Sequence, residues 1–397
     1  MNYNFSDRIN ELKPSAIREI LKVTQNPSVI SFAAGNPSVE TFPAAEMAEI
    51  AQDLFTNRAG AALQYGVTEG YTPLREITAA RLRDKYSIGS PNDDLIIVSG
   101  GQQGMDLSAK AFLNENDTII CENPSFIGSL NCFRSYKANL VGVPLQFDGM
   151  DMDKLEETLK TEKNVKLIYV IPTFQNPTGR VMSLEKRKKL LELASRYDVM
   201  IIEDNPYFEL RYSGEYVPAI KSLDTEGRVI YVGSYSKILS PGIRLGFVCA
   251  PKVVMGKLVV GKQVTDVHTN LFFQMLAHDF LSRYNLEEHI EKIRALYRSK
   301  RDAMISAMEK SFGEMMNFEK PDGGLFIWCG LPEEYDGAEL CKISGQKGVA
   351  AVPGSSFLVN DRDVSPYVRF NFSLPTYEQI DKGISLFADA LREYLGR

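Results

Sequence analysis

Ser234-Tyr235-Ser236-Lys237-Ile238-Leu239-Ser240-Pro241-Gly242-Ile243-Arg244-Leu245-Gly246 lies between two apolar runs, Val229-Ile230-Tyr231-Val232 and Leu245-Gly246-Phe247-Val248. Short β-branched runs bounded by turn residues read as buried strands. Upstream, Leu95–Val98, Thr118–Cys121, Val165–Ile171 and Val199–Ile202 read the same way. Amphipathic stretches separate them. In one of these, Ser183 is placed to cap a helix reaching Tyr197, with Leu190, Leu191 and Ala194 on one face. This alternation predicts an α/β fold with a mostly parallel sheet covered on both faces. The last third differs. A long charged helix from about Glu287 to Lys310 is followed by a strand at Gly323–Trp328 and a helix near Gly337 to Lys347. A strand at Tyr367–Phe372 and a closing helix from Thr376 to Leu395 complete a smaller α+β unit.

The chain has 397 residues, 44% hydrophobic and 24% charged, which excludes a disordered or collagen-like protein and predicts two or three packed units. With 45 Lys+Arg against 51 Asp+Glu, the net charge of −6 argues against a nucleic-acid partner, although a small anion can still find a locally basic pocket. The cysteines, Cys121, Cys132, Cys249, Cys329 and Cys341, form no Cys-x-x-Cys pair, and the odd count argues against a disulfide framework. His268, His278 and His289 make no His-Glu-x-x-His pattern, so no metal site is expected, and so few histidines disfavour a Ser-His-Asp or Cys-His enzyme. The N-terminal residues lack an apolar core and cleavage site, and no apolar run approaches the ~18 residues of a membrane helix. A cytoplasmic protein with no membrane partner is expected.

The chemistry concentrates at carboxyl ends of the expected strands. A solitary turn lysine is ordinarily solvated, but Ser234, Ser236 and Arg244 beside Lys237 can form a phosphate cradle next to an amine. An aldehyde cofactor with a phosphate handle needs that combination. Asp204 ends the run Ile202-Glu203-Asp204 and can face a pyridinium nitrogen; a turn cap is the simpler alternative. Asn176-Pro177-Thr178-Gly179 follows another strand, either as a plain turn or as an amide donor. Ser99-Gly100-Gly101-Gln102-Gln103-Gly104 opens a helix whose bare amides can bind phosphate.

In order and spacing these motifs resemble the fold-type I pyridoxal-phosphate aminotransferases of class I/II, from Gly35-Asn36-Pro37 to Arg369. The resemblance implies a PLP-dependent transferase-like fold with a seven-stranded, mostly parallel sheet. It also implies a large cofactor domain at 44–286, and a small domain built from residues 1–43 and 287–397. The implied cofactor is pyridoxal 5'-phosphate. Lys237 would bind its aldehyde covalently and later carry the α-proton; Asp204 would face the ring nitrogen, and Asn176 and Tyr207 the ring oxygen. Gly100, Gly101, Gln102, Ser234, Ser236 and Arg244 would hold the phosphate, with Phe126 stacked on the ring. Tyr65 would cross to the partner's phosphate, which makes the expected form a homodimer with shared active sites. Arg369 would clamp the substrate α-carboxylate, with Asn176 and Gly35 near the substrate, while Gly323 and Gly324 would let the small domain approach it.

Ser15-Ala16-Ile17-Arg18-Glu19-Ile20-Leu21 resembles the kynurenine/2-aminoadipate and aromatic aminotransferase branch, in which Arg18 would reach substrate; an amphipathic helix with Arg18 in solvent is the other reading. The expected reaction moves an amino group from an aromatic, 2-aminoadipate-like or branched L-amino acid to a 2-oxo acid such as 2-oxoglutarate. A lyase or decarboxylase on the same fold is the nearer rival. A cofactor-binding transcription regulator is the farther one, disfavoured because the resemblance starts by residue 15 and leaves no room for a DNA-binding domain. Gly256-Lys257-Leu258-Val259-Val260-Gly261-Lys262-Gln263 approaches the P-loop spacing but fails at Gln263, where Ser or Thr must reach magnesium; it is expected to be a helix.

Overall fold

A computed structural model describes residues 3–10, 12, 26 and 28–396. Its strands, in chain order, begin with β1 (Ile30–Ser31), β2 (Asp93–Val98), β3 (Thr118–Asn123), β4 (Asn139–Gln146) and β5 (Gly149–Met150). There follow β6 (Val165–Val170), β7 (Met200–Asp204), β8 (Val229–Ser234) and β9 (Gly246–Pro251). The large sheet has the order β2-β9-β8-β7-β6-β3-β4-β5. Its seven long strands match the expected number, and the two-residue β5 adds a short antiparallel edge. Six of the seven were legible as apolar runs. The seventh, β4, contains Gly142 and Pro144 and is largely half-exposed, so it lacks the continuous apolar pattern of a central strand. Its side chains nevertheless pair in parallel with β3, Thr118 opposite Asn139 through Asn123 opposite Pro144.

Pairs β3/β4, β3/β6, β6/β7 and β7/β8 are parallel, whereas β9 runs against both β8 and β2. The reversal follows from the connection. Parallel neighbours need a crossover, but β8 passes to β9 through one loop from Tyr235 to Leu245. That loop therefore stands at the carboxyl edge of the parallel strands. Helices Gly101–Phe112 and Lys252–Gln263 cover one face together, and Leu184–Arg196 lies on the sheet with Ser183 as its cap, accepting from the Lys186 N–H at 3.3 Å.

The second sheet comprises β10 (Asn317–Phe318), β11 (Phe326–Gly330), β13 (Val352–Pro353) and β14 (Tyr367–Asn371), antiparallel in the order β10-β11-β14-β13. The strand expected from Gly323 starts at Phe326, because Gly324 turns with φ +74° before the extended run begins. Helices Leu286–Phe312 and Tyr377–Leu395 pack together behind this sheet, with Phe312, Phe370 and Phe387 in ring contact. The N-terminal strand β1 pairs with β12 (Val349–Ala350), and the Phe32 carbonyl accepts from Asn371 N–H at 2.8 Å. Residues near both ends of the chain thus share one unit. No helix among the described residues is long and apolar enough to cross a membrane.

Candidate active site

Strand ends and the β8–β9 loop converge on a cavity of about 290 Å³ at the carboxyl edge of the large sheet. Gly35, Gly101, Gln102, Phe126, Asn176, Asp204, Tyr207, Ser234, Ser236, Lys237, Arg244 and Arg369 all line it. Gly100 stands just behind as the cap of the helix that Gly101 begins.

Asp204 is the last residue of β7 and only 6% exposed. Burial pushes its carboxyl up to about 7, opposed by a hydrogen bond from the Tyr169 hydroxyl at 2.8 Å. Lys237 Nζ donates to the Gly35 carbonyl at 2.9 Å and lies 5.9 Å from the centre of the Tyr207 ring. Burial lowers its pKa to about 8, helped by repulsion from Arg244 and Arg369, so a substantial share of the amine is neutral near physiological pH. Burial also drives the Tyr207 phenol well above its ordinary range, which keeps it a hydrogen-bond donor.

Arg369 is fully enclosed. Nη1 donates to Asn176 Oδ1 (2.8 Å) and Nη2 to the Ala33 carbonyl (2.6 Å), while Phe326 and Phe357 lie 4.2 and 4.8 Å from the guanidinium. Its Nε has no partner, and among the described residues no carboxylate pairs with it. Burial brings its pKa down to about 10.

The opposite wall is built for an anion. Gly100 takes φ +80°, and a Cβ there would run into the Arg244 guanidinium. Glycine thus lets Arg244 approach the start of helix Gly101–Phe112, whose first N–H groups have no intrahelical acceptor. Among the described residues Arg244 donates to two carbonyls, Pro241 at 3.2 Å and Ser99 at 3.4 Å. Ser234 Oγ accepts from the Ser236 N–H at 3.1 Å, and both serines line the cavity. A Cβ at Gly128 would lie 2.6 Å from the Phe126 ring, so that glycine makes room for the ring beside the cavity.

Some expected residues fall elsewhere. Tyr65 is 81% exposed, edge-on to His268, and outside the cavity. Arg18 lies outside the described residues. Gly323 and Gly324 are not among the residues that line the cavity; a Cβ at either would crowd the Phe174 side chain, and at Gly323 also the Leu210 carbonyl, so they allow a close approach to those loop residues. Conversely, Tyr169, Phe326 and Phe357 belong to the site and were missed. Tyr169 pairs with Ile202 across β6 and β7, placing it diagonal to Asp204 on the same face, a relation available only once the strand order is known. Gln175 was missed as well. Its Oε1 accepts from the Thr178 N–H (2.9 Å) and hydroxyl (2.8 Å), and its Nε2 donates to the Pro124 carbonyl (2.8 Å), pinning the turn that presents Asn176.

A buried carboxylate without a cationic partner, a partly neutral amine and an anion cradle fit the three ends of pyridoxal 5'-phosphate: ring nitrogen, aldehyde and phosphate. Together with a mixed sheet whose single reversed long strand follows the lysine loop, they define the class of pyridoxal-phosphate-dependent transferase-like enzymes. Residues 27–387 match the family described as aminotransferase class I and II, and the chain belongs to it. Aromatic-amino-acid aminotransferase 1 of Thermococcus litoralis is 44% identical over 98% of this chain and 94% of its own length. The 2-aminoadipate transaminase of Thermus thermophilus is 36% identical over 98% of this chain and 97% of its own. A solved structure of Pyrococcus horikoshii kynurenine aminotransferase in complex with PMP is 42% identical, with a TM-score of 0.94, covering 98% of this chain and 97% of that one. The protein is an aminotransferase and its cofactor is pyridoxal 5'-phosphate.

Proposed function

We propose that the enzyme moves the amino group of an aromatic, 2-aminoadipate-like or branched L-amino acid to a 2-oxo acid, with 2-oxoglutarate as the principal acceptor. The names of the relatives support the donor range. The observation that carries the reading is Arg369: a buried guanidinium with no acidic partner among the described residues, in one cavity with Lys237 and Asp204, suits an α-carboxylate common to every donor and acceptor. Pyridoxal 5'-phosphate, when bound, supplies an aldehyde for the amino group and a ring that accepts the α-carbon's electrons. Lys237 would hold that aldehyde and, as the free amine, would carry the proton between the substrate α-carbon and the cofactor's C4′. Asp204 faces the ring nitrogen and keeps it protonated, while Tyr169 fixes the carboxylate. Asn176 and Tyr207 donate to the ring oxygen. The Gly101 and Gln102 amides, with Ser234, Ser236 and Arg244, bind the phosphate behind Gly100, and Phe126 stacks on the ring. Gly35, whose carbonyl accepts from Lys237, would border the substrate.

The working unit we propose is a homodimer in which Tyr65 reaches the partner's phosphate; its exposure, beside exposed Leu63 and Val67, supports this. The proposed division is residues 1–43 with 287–397 as the small domain and 44–286 as the large one, supported by the β1–β12 pairing. A cytoplasmic location agrees with five free cysteines. The test is a donor panel run with 2-oxoglutarate, with pyruvate and without acceptor. Product formation that requires the acceptor is expected; steady turnover without one would replace transamination with lyase or decarboxylase chemistry.

A further inference from the structure

The near-P-loop stretch contains a lysine that the proposed chemistry does not use. Lys262 lies in the last turn of helix Lys252–Gln263 and is 0% exposed. Its Nζ donates to Gln103 Oε1 (2.8 Å), Thr269 Oγ1 (2.8 Å) and the Asp266 carboxylate (2.9 and 3.0 Å), which occupies all three ammonium protons. The same acceptors grip the residues that lead into the anion cradle. Gln103 Oε1 also accepts from the Ser99 N–H (2.8 Å), and Gln103 Nε2 donates to Asp266 Oδ2 (2.8 Å). Ser99 Oγ donates to Asp266 Oδ2 (2.9 Å) and lies 3.1 Å from Thr269 Oγ1. The Ser99 carbonyl, in turn, accepts from Arg244.

Ser99 is therefore fixed at its N–H and its hydroxyl from the Lys262 side and touches Arg244 through its carbonyl, immediately before Gly100 and the first helical amides. Burying an ammonium is a costly way to fill space, since an apolar side chain at this helix position would pack without desolvating a charge, and its partner Asp266 keeps 27% of its side chain exposed. We propose that Lys262 is a positioning residue for the cofactor phosphate, acting through Gln103, Asp266 and Ser99 to hold the Gly100–Gln102 amides and Arg244 in register. This rests on the assignment of the cradle to the phosphate and adds to it a residue with no contact to the ligand.

Phosphate dependence separates positioning from general stabilisation. The full chain, freed of cofactor, is titrated with pyridoxal 5'-phosphate and with pyridoxal, which keeps the ring and aldehyde but lacks the phosphate. Lys262→Met is expected to weaken pyridoxal 5'-phosphate binding by about 10- to 100-fold, the scale seen for outer-shell partners of bound ions, and to leave pyridoxal within about twofold. Equal losses for both ligands, or no loss for either, would overturn the proposal. If Lys262→Met does not fold, Gln103→Leu carries the same test with the same criteria. A wild-type chain that binds the two ligands equally would instead refute the phosphate assignment itself.

Discussion

Replacing Arg369 with Met should separate activity from stability. The side chain is buried with its charge intact, and the displacement of its pKa from 12.5 to about 10 corresponds to ~3 kcal/mol against the charged form. Met keeps most of the volume between Phe326 and Phe357 and removes that cost. It also deprives Asn176 Oδ1 and the Ala33 carbonyl of a donor, at ~1–3 kcal/mol each when fully dry and less where they border the cavity. These contributions oppose one another, so the melting temperature should move by only a few degrees. Catalysis has no such offset. Losing a bidentate, charge-assisted partner for the substrate carboxylate costs ~2–5 kcal/mol, or roughly 30- to 4,000-fold in kcat/KM. The assay pairs thermal melts with kcat/KM for an aromatic, a branched and a dicarboxylic donor. Because the α-carboxylate is common to all three, the losses should be alike and appear largely in KM. An unchanged KM, or a loss confined to one donor, would remove Arg369 from the carboxylate role; a large drop in melting temperature would make it a packing residue.

Asp204 gives a pH signature. Its carboxyl rises from 3.8 to about 7 on folding, so the cofactor-free native chain binds the proton more tightly than the unfolded chain, and its stability falls as pH rises across that window. Asp204→Asn should melt with the wild type near pH 4 and above it at pH 8, by at most ~4 kcal/mol, and parallel melting curves from pH 4 to 8 would refute this. Gly100→Ala places a Cβ against the Arg244 guanidinium at φ +80°. Strain of ~1–3 kcal/mol there predicts a loss of cofactor affinity of about 5- to 150-fold, read by dialysis of the holoenzyme; retention equal to the wild type would mean that the cradle tolerates the methyl group.

What could be read from the sequence was whatever local pattern encodes. Val165–Val170, Met200–Asp204 and Val229–Ser234 are largely apolar runs, with Asn176, Asp204 and Lys237 at or shortly after their ends and Arg244 just before the next strand. β4 escaped because half-exposed strands near a sheet edge tolerate Gly142 and Pro144. Tyr169 escaped for another reason: within an aliphatic strand it reads as core, and it is core except at its hydroxyl. Lys262 was weighed against the wrong partner. Its spacing fails for a nucleotide, and Gln103, which it bonds directly, and Ser99, which Gln103 bonds in turn, are distant in sequence and come near because two helices lie side by side.

The way this chain treats its other buried cations argues that the cavity charges serve ligands. Lys221 is sealed between Asp93 (2.7 Å) and Asp224 (3.3 Å), and Lys300 reaches Glu40 at 3.2 Å. Arg187, which makes no direct ion pair among the described residues but feels the charge of buried Glu203, donates to the Met182, Pro218 and Pro172 carbonyls and to Thr173 Oγ1. Lys237 has one carbonyl, Arg369 has an idle Nε, and Asp204 has a single phenol, with no opposite charge paired to any of them among the described residues. Burial shifts all three toward neutrality, and selection for stability alone would replace them with apolar groups. In the proposed reading a pyridinium opposite Asp204 and a carboxylate on Arg369 would supply the missing signs at these two groups, so ligand binding should recover electrostatic energy that the fold leaves uncompensated there. The net charge of −6 has no bearing on this, because each of these groups responds to its enclosed surroundings.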